Sequence, residues 1–157
     1  MKQTAFKATA LAVALGTLAL ITVAGRNLPA KSDAKKPTIT VYKDPSCGCC
    51  KKWIEHLESH GYRVDAKDTP DMPQIKRSLG VPDGLTACHT AMVNGYLIEG
   101  HVPAEDIDRL LAQKPKVAGL AVPGMPMGSP GMGGSPAERY KVIAFDKRGK
   151  QTVFASH

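Results

Sequence analysis

Three of the four cysteines of the chain fall within four residues, Cys47-Gly48-Cys49-Cys50, and the fourth is Cys88. Cys47 and Cys50 form a C-x-x-C pair, a spacing typical of redox and metal-binding motifs. Adjacent Cys49 and Cys50 can hardly bridge each other without strain, and only one of the crowded three can bridge to Cys88. The spacing therefore disfavours two structural disulfides and leaves at least one thiol for a soft-metal or redox site.

The extra thiols favour metal binding over redox work. A dithiol oxidoreductase needs one attacking and one resolving cysteine, so Cys49 would invite scrambling there, whereas in a metal site it is a further ligand. Thiolates select Cu(I), Zn(II) or iron–sulfur clusters. Three ligands within four residues crowd a single tetrahedral Zn(II). An iron–sulfur cluster is the least favoured of the three, because an exported protein would receive it before folded export, and the chain has no twin-Arg signal for that route. The sequence thus predicts Cu(I), held as one ion or as a polynuclear cluster.

Thioether sulfur is a second soft donor in this chain. A segment rich in Gly and Pro that buries little carries three methionines, which we predict to be copper ligands or a copper access route: Met125, Met127 and Met132. Methionine in a core usually fills gaps, but that role suits a loop poorly. Since thioethers are soft ligands for Cu(I), the loop strengthens the prediction of copper.

The histidines are weaker candidates. His89 follows Cys88 directly, and we predict it as a further ligand. His56 and His60 are spaced i, i+4 on a predicted helix, as a metal-binding pair could be, but they lie on its polar side and are interpreted as solvated residues. His101 follows a predicted hairpin and is interpreted as a turn residue that forms a hydrogen bond, with a metal ligand as the alternative.

Hydrophobic periodicity predicts the elements around these residues. A β-branched strand precedes the cysteines, the helix that starts at Cys47 ends at Gly61, and Asn94-Gly95 between two apolar runs predicts a hairpin. The predicted strands are 38–42, 62–66, 86–93 and 96–99, and the predicted helices begin at 47, 71 and 103. Helices between the first three strands predict parallel crossovers. The order indicates an α/β, thioredoxin-like fold with a mixed sheet and flanking helices.

The predicted fold brings Cys88 to the cysteine trio. In thioredoxin-like proteins the segment entering the hairpin runs beside the start of the first helix, usually with a cis-proline. No proline occurs between Leu85 and Tyr96, and Cys88 lies next to that position. We therefore expect four sulfur atoms to converge. Downstream, residues 119–136 are predicted as a Gly/Pro/Met loop without periodicity, and residues 140–154 as a C-terminal hairpin.

The N-terminal segment predicts export to the periplasm. Two lysines precede an uncharged run from Ala8 to Ala24 that small residues close, which is the layout of a secretory signal peptide. An uncleaved membrane anchor is the alternative, and a membrane contact is expected only in that case. We divide the chain into a signal peptide or anchor (1–25), a linker (26–36), a copper-binding domain (37–135) and a hairpin tail (136–157).

Charge adds little about partners. The formal net charge is +7 and only 5% of the residues are aromatic. Because the basic residues are scattered along the chain, nucleic acid is not an expected partner. No catalytic triad, carboxylate pair or phosphate-binding loop is present in the sequence.

The combined motifs resemble the small exported copper-resistance proteins typified by CopG, a family long described as a domain of unknown function. The motifs that carry the resemblance, which spans roughly residues 37–132, are at 45–50, 88–91, 95–104 and 119–132. It implies a periplasmic thioredoxin-like domain, copper bound by the thiols of the four cysteines, and a role in copper redox handling. Copper ions and other periplasmic copper-handling proteins are the expected partners.

Two alternatives remain open from the residues alone. A thiol–disulfide oxidoreductase would use Cys47 as nucleophile and Cys50 as resolving thiol. A Zn-stabilised interaction module would hold a single Zn(II) and would fail to fold without it. Whether the protein is an enzyme is left open at this point.

Overall fold

The computed structural model describes residues 35–157, so the predicted signal peptide or anchor and residues 26–34 of the linker lie outside the described residues. None of the helices in that part of the chain has the length and hydrophobicity needed to cross a bilayer. The strands are β1 (Thr38–Lys43), β2 (Arg63–Asp68), β3 (His89–Val93), β4 (Tyr96–Gly100), β5 (Gly119–Val122), β6 (Lys141–Phe145) and β7 (Gln151–Ser156), and the helices are α1 (Gly48–Ser59), α2 (Met72–Leu79) and α3 (Ala104–Gln113).

The seven strands form one mixed sheet in the order β2-β1-β3-β4-β5-β6-β7. Strand β1 is parallel to β2 and antiparallel to β3, and β4 is antiparallel to β3 and parallel to β5. Strands β5, β6 and β7 pair antiparallel, so the predicted C-terminal hairpin forms and extends the sheet. The α/β class, with a mixed sheet and flanking helices, is confirmed.

The predicted direction of the third strand was wrong. Strand β3 runs antiparallel to β1, with Lys43 opposite His89. The eight residues of α2 are followed by the segment 80–88, which includes a single 3₁₀ turn at Asp83–Leu85. This connection returns the chain to the end of the sheet at which β2 finished, so a helix between two strands did not imply a parallel crossover.

The predicted Gly/Pro/Met loop begins later than expected. Residues 119–122 form β5, in which all four residues are buried. A strand that is buried on both faces shows no alternation, and four residues are too few to reveal a pattern. The loop therefore runs from 123 to 140, between β5 and β6.

The core lies between the sheet and the helices α1 and α3. Trp53 and Leu57 of α1 and Ile107 and Leu110 of α3 are fully buried against strand residues such as Ile98. Trp53 also donates a hydrogen bond from its indole N–H to the carbonyl oxygen of Val102, at 2.9 Å. A smaller cluster around Phe145 and Leu85 forms separately. Packing of Trp53 fixes α1, and hence the cysteines at its start.

Replacing Gly119 by alanine should disrupt the pairing of β4 with β5. A Cβ atom at Gly119 would lie 2.9 Å from Leu97 Cβ and closer still to the Leu97 carbonyl oxygen. We expect Gly119→Ala to lower the free energy of unfolding by about 1–3 kcal/mol, as overpacking does, in urea denaturation. Gly84→Ala is the control, because no atom lies within 4 Å of its added Cβ. Equal midpoints for the two variants would contradict the packing argument.

Candidate metal centre

The cysteine trio occupies the N-terminal turn of α1. Cys47 is the N-cap residue, and its Sγ accepts a hydrogen bond from the Cys50 amide at 3.3 Å. The Cys47 amide in turn donates to the Asp44 carbonyl oxygen in the turn that follows β1. Cys47 and Cys50 are joined in a disulfide, and Cys50 is fully buried. The cap geometry thus fixes the trio at a helix N-terminus, where the dipole favours thiolates.

The four sulfur atoms converge as the sequence predicts. Cys49 and Cys88 are free and half-buried. Cys49 Sγ lies 3.5 Å from Cys47 Sγ and 3.8 Å from Cys88 Sγ, and all four sulfurs lie within 4.8 Å of one another. Bonds of about 2.3 Å to one tetrahedral ion would place two thiolates about 3.8 Å apart. The spacing therefore suits sulfurs that share a metal ion.

A buried ionic network holds the segment that carries Cys88. Glu99 of β4 is fully buried, and its Oε1 accepts a hydrogen bond from the Ala87 amide at 2.6 Å. Thr90 donates to the other carboxylate oxygen at 2.6 Å, and Lys76 of α2 pairs with Glu99 and donates to Thr90. Burial raises the pKa of Glu99, although the Lys76 ammonium and the hydrogen bonds act against this. The carboxylate anchors the residue immediately before Cys88.

Two histidines contact Cys88. Its Sγ lies 3.2 Å from His89 Nδ1 and 3.1 Å from His101 Nε2. His101 Nδ1 faces the Pro130 carbonyl oxygen at 2.6 Å. Because a carbonyl only accepts, Nδ1 carries the proton and the Nε2 lone pair points at the sulfur. The Nε2 atom of His89 is buried without a partner.

Burial governs the protonation of this group. It lowers the pKa of His101 and, together with the nearby His101 and the Lys76 ammonium, holds the pKa of His89 well below its usual range. Both rings are therefore neutral, the form that binds metals. Burial, reinforced by the neighbouring Cys49, raises the pKa of the Cys88 thiol to about 12. Cys88 lies outside α1, so it lacks the stabilisation that the helix dipole gives to a thiolate at the N-terminal turn.

The Gly/Pro/Met loop crosses the first turn of α1. A Cβ atom at Gly131 would lie 2.9 Å from the Cys49 carbonyl oxygen and 2.7 Å from the Trp53 amide nitrogen, so only glycine allows this close approach. Pro130, the preceding residue, is the partner of His101. The half-buried Met132 follows Gly131 directly. The loop thus contacts the helical turn that carries the cysteine trio.

The structure brings some of the predicted site residues together and leaves others apart. The four cysteines and His89 lie together, and His101, interpreted from the sequence as a turn residue, joins them. In the sequence, its position at the end of a predicted hairpin was the only indication that His101 lies near Cys88. Met132 lies on the loop segment that covers α1. Met125 and Met127 are each 38% exposed. Met127 packs against Gly134 within the loop.

Comparison with known proteins gives one consistent relationship. A family model described as "Protein of unknown function, DUF411" matches residues 85–132. Two solved structures, described as forms 2 and 1 of the copper resistance protein CopG, are 42% and 43% identical to the chain, with TM-scores of 0.74 and 0.73. Each covers 78% of this chain and 98% of its own. No curated protein matches significantly.

The raised pKa predicts slow alkylation of Cys88. Because the thiolate is the nucleophile, its rate with iodoacetamide should rise about tenfold per pH unit and show no plateau up to about pH 11. Peptide mapping by mass spectrometry separates Cys88 from Cys49 in the disulfide-bonded protein. A rate that is half-maximal near pH 9, the ordinary pKa of a cysteine thiol, and that levels off above this pH would show that burial does not control this thiol.

Removing the charge of Glu99 should loosen the Cys88 segment. Glu99→Gln leaves the Lys76 ammonium buried without its anion, which costs about 3 kcal/mol of stability. We also expect faster alkylation of Cys88. The Ala87 amide loses its ionic acceptor, so the segment that carries Cys88 moves more freely and exposes the thiol to the reagent. Glu58→Gln, at an exposed position of α1, is the control for loss of a carboxylate. Thermal or urea unfolding and the alkylation rate are measured together, and a Glu99 variant that behaves like the control would rule out the anchor.

Proposed function

The chain belongs to the CopG family of copper resistance proteins, and we propose that it binds copper as Cu(I) through the sulfur atoms of its four cysteines. The observation that carries this proposal is the convergence of four sulfurs within 4.8 Å. Soft thiolates favour Cu(I) over harder ions. Binding by reduced cysteines would sequester copper, which is the property that copper resistance requires.

The geometry favours more than one copper ion. Cys49 is the central sulfur, since it lies 3.5 Å from one cysteine sulfur and 3.8 Å from another. Such a sulfur can bridge two ions, each completed by Cys47 or Cys88. The neutral imidazoles of His89 and His101 at Cys88 supply nitrogen donors for further positions. Met132 follows Gly131, which contacts the first turn of α1, so it is the loop thioether proposed to join the site, and Met125 and Met127 are proposed for the access route.

The disulfide gives the site a redox step. Reduced Cys47 and Cys50 would convert two Cu(II) ions to two Cu(I) ions as one S–S bond forms and two thiol protons leave. Cys49 and Cys88, which remain free in the disulfide-bonded structure, would bind the Cu(I) formed and give up their thiol protons as they do so. An external dithiol, which donates two electrons and two protons to the S–S bond, would restore the starting state.

The proposed place of action is the periplasm. Its support is the signal-peptide layout of residues 1–25. Residues 37–135 would then form the copper-binding domain and 136–157 an appended hairpin. Copper ions are the proposed ligand, and other periplasmic copper-handling proteins are the proposed partners.

A thiol–disulfide oxidoreductase is the second candidate. Its support is the disulfide between Cys47, which is half-exposed at the helix start, and Cys50, which is fully buried. An exposed attacking sulfur and a buried resolving sulfur are the arrangement that exchange with a substrate disulfide requires. On this alternative, neither Cys49 nor Cys88 would be needed.

Anaerobic titration of the reduced protein with Cu(I) tests the proposal. We expect more than one tightly held copper per chain, read out by competition with a chromogenic chelator. Cys49→Ser and Cys88→Ser should each release at least one copper, because Cys49 is the bridging sulfur and Cys88 completes one of the two ions. Met132→Leu should weaken binding, whereas Met92→Leu, on β3, is the matched control.

The same variants separate the two candidates. Reduction of a model disulfide that persists after loss of both Cys49 and Cys88, together with no tight Cu(I) binding by the unaltered chain, would favour the oxidoreductase. A single bound copper that is retained after both substitutions would rule out a copper cluster shared by the four cysteines.

A further inference from the structure

A second group of metal-ligand side chains lies at the opposite end of α1. His56 and His60 are one turn apart on this helix, and Glu105 lies in the first turn of α3. Each offers one ligand atom, and these atoms lie within 4.8 Å of one another. At 1.5 Å per helical residue, His60 is about 15 Å from Cys50 along the helix. The group therefore shares no ligand with the cysteine centre.

His60 has a fixed tautomer. Its Nδ1 atom lies 2.8 Å from the His56 carbonyl oxygen, which can only accept, so Nδ1 carries the proton. In the neutral ring the Nε2 atom then bears a lone pair, and it lies 3.0 Å from Glu105 Oε1. Two lone pairs at this distance repel unless a cation lies between them. That cation is either a proton, which makes an ordinary ion pair, or a metal ion.

His56 brings a third lone pair to the same place. Burial, followed by the nearby His60, lowers its pKa, so the ring is neutral. Its Nε2 accepts a hydrogen bond from the Ala104 amide at 3.1 Å and is therefore unprotonated. The two imidazole rings lie 4.4 Å apart between centroids. A metal ion would replace the Ala104 hydrogen bond.

We propose that His56, His60 and Glu105 bind a divalent copper ion at a second site, independent of the cysteine cluster. Two imidazoles and a carboxylate are borderline to hard donors, and Cu(II) binds such sets most tightly among divalent first-row metals. Ligands at about 2.0 Å and at right angles lie about 2.8 Å apart, close to the 3.0 Å between His60 Nε2 and Glu105 Oε1.

The surroundings leave room for this ion. The side chains of His60 and Glu105 are 33% and 67% exposed, so solvent water can complete the coordination. Glu105 supplies a full negative charge, and a backbone hydrogen bond within its own residue lowers its pKa, against the opposing effect of partial burial. The carboxylate is thus available as an anion.

The test uses the full chain with the Cys47–Cys50 disulfide closed and with the free thiols removed by the substitutions Cys49→Ser and Cys88→Ser. Removing these thiols separates this site from the proposed Cu(I) centre, so failure of one does not imply failure of the other. Added Cu(II) should bind in a ratio of one per chain. Its electron paramagnetic resonance spectrum should show hyperfine coupling to two imidazole nitrogens. His60→Gln and Glu105→Gln should each weaken binding by about tenfold or more.

His157→Gln is the matched control. His157 also pairs with a carboxylate, Asp106, at 2.7 Å, and its side chain is 36% exposed, but it belongs to no three-ligand group among the described residues. It should bind Cu(II) like the unaltered chain. Equal binding by the His60 and Glu105 variants, or no saturable binding by the unaltered chain, would overturn the second site and leave an ordinary ion pair.

A measurement without substitutions guards against variants that unfold. Zn(II), a diamagnetic stand-in, should shift the nuclear magnetic resonance signals of the His56 and His60 rings and of the Ala104 amide, whose hydrogen bond the metal displaces. Shifts confined to other parts of the chain would exclude these residues as ligands.

Discussion

The antiparallel pairing of β3 with β1 places Cys88 at the tip of α1. Strand β1 ends at Lys43, and residues 44–46 lead to the cap residue Cys47. Because Lys43 lies opposite His89, the chain must enter β3 at the end of the sheet where α1 begins. A parallel β3 would enter at the other end of a strand about 20 Å long, and its preceding cysteine could not reach the trio. The direction of one strand thus decides whether four sulfurs form one site.

The buried charge of Glu99 then fixes the segment that leads through Ala87 to Cys88. An ion pair removed from water stabilises a fold only when its remaining lone pairs and protons are satisfied, and the carboxylate of Glu99 meets this condition through Lys76, Thr90 and the Ala87 amide. The following residue, Gly100, has a φ of +70°, and a Cβ there would lie 2.6 Å from that of Ala87. Both features bring the end of β4 against Ala87, in the segment that leads through Cys88 into β3.

Helix α1 presents different donors at its two ends. Its N-terminal turn carries sulfur, which suits the cuprous state, and its C-terminal turn carries imidazole, which suits the cupric state. Between them the buried indole of Trp53 packs against the His89 ring of β3 at 4.3 Å between centroids, and its N–H donates to the Val102 carbonyl oxygen in the segment before α3. The packing of a single helix therefore positions both the cysteine centre and the proposed second site, although no ligand connects them.

Local patterns in the sequence determined the parts of this protein that depend on neighbouring residues. Caps, periodicity and the Asn94-Gly95 turn predicted the helices and the hairpin, and the spacing of Cys47, Cys49 and Cys50 predicted a soft-metal site. The direction of β3, the existence of β5 and the contact of His101 with Cys88 came only from the tertiary structure. Each depends on pairing or packing between residues distant in the chain, and such contacts leave no periodic trace in either partner.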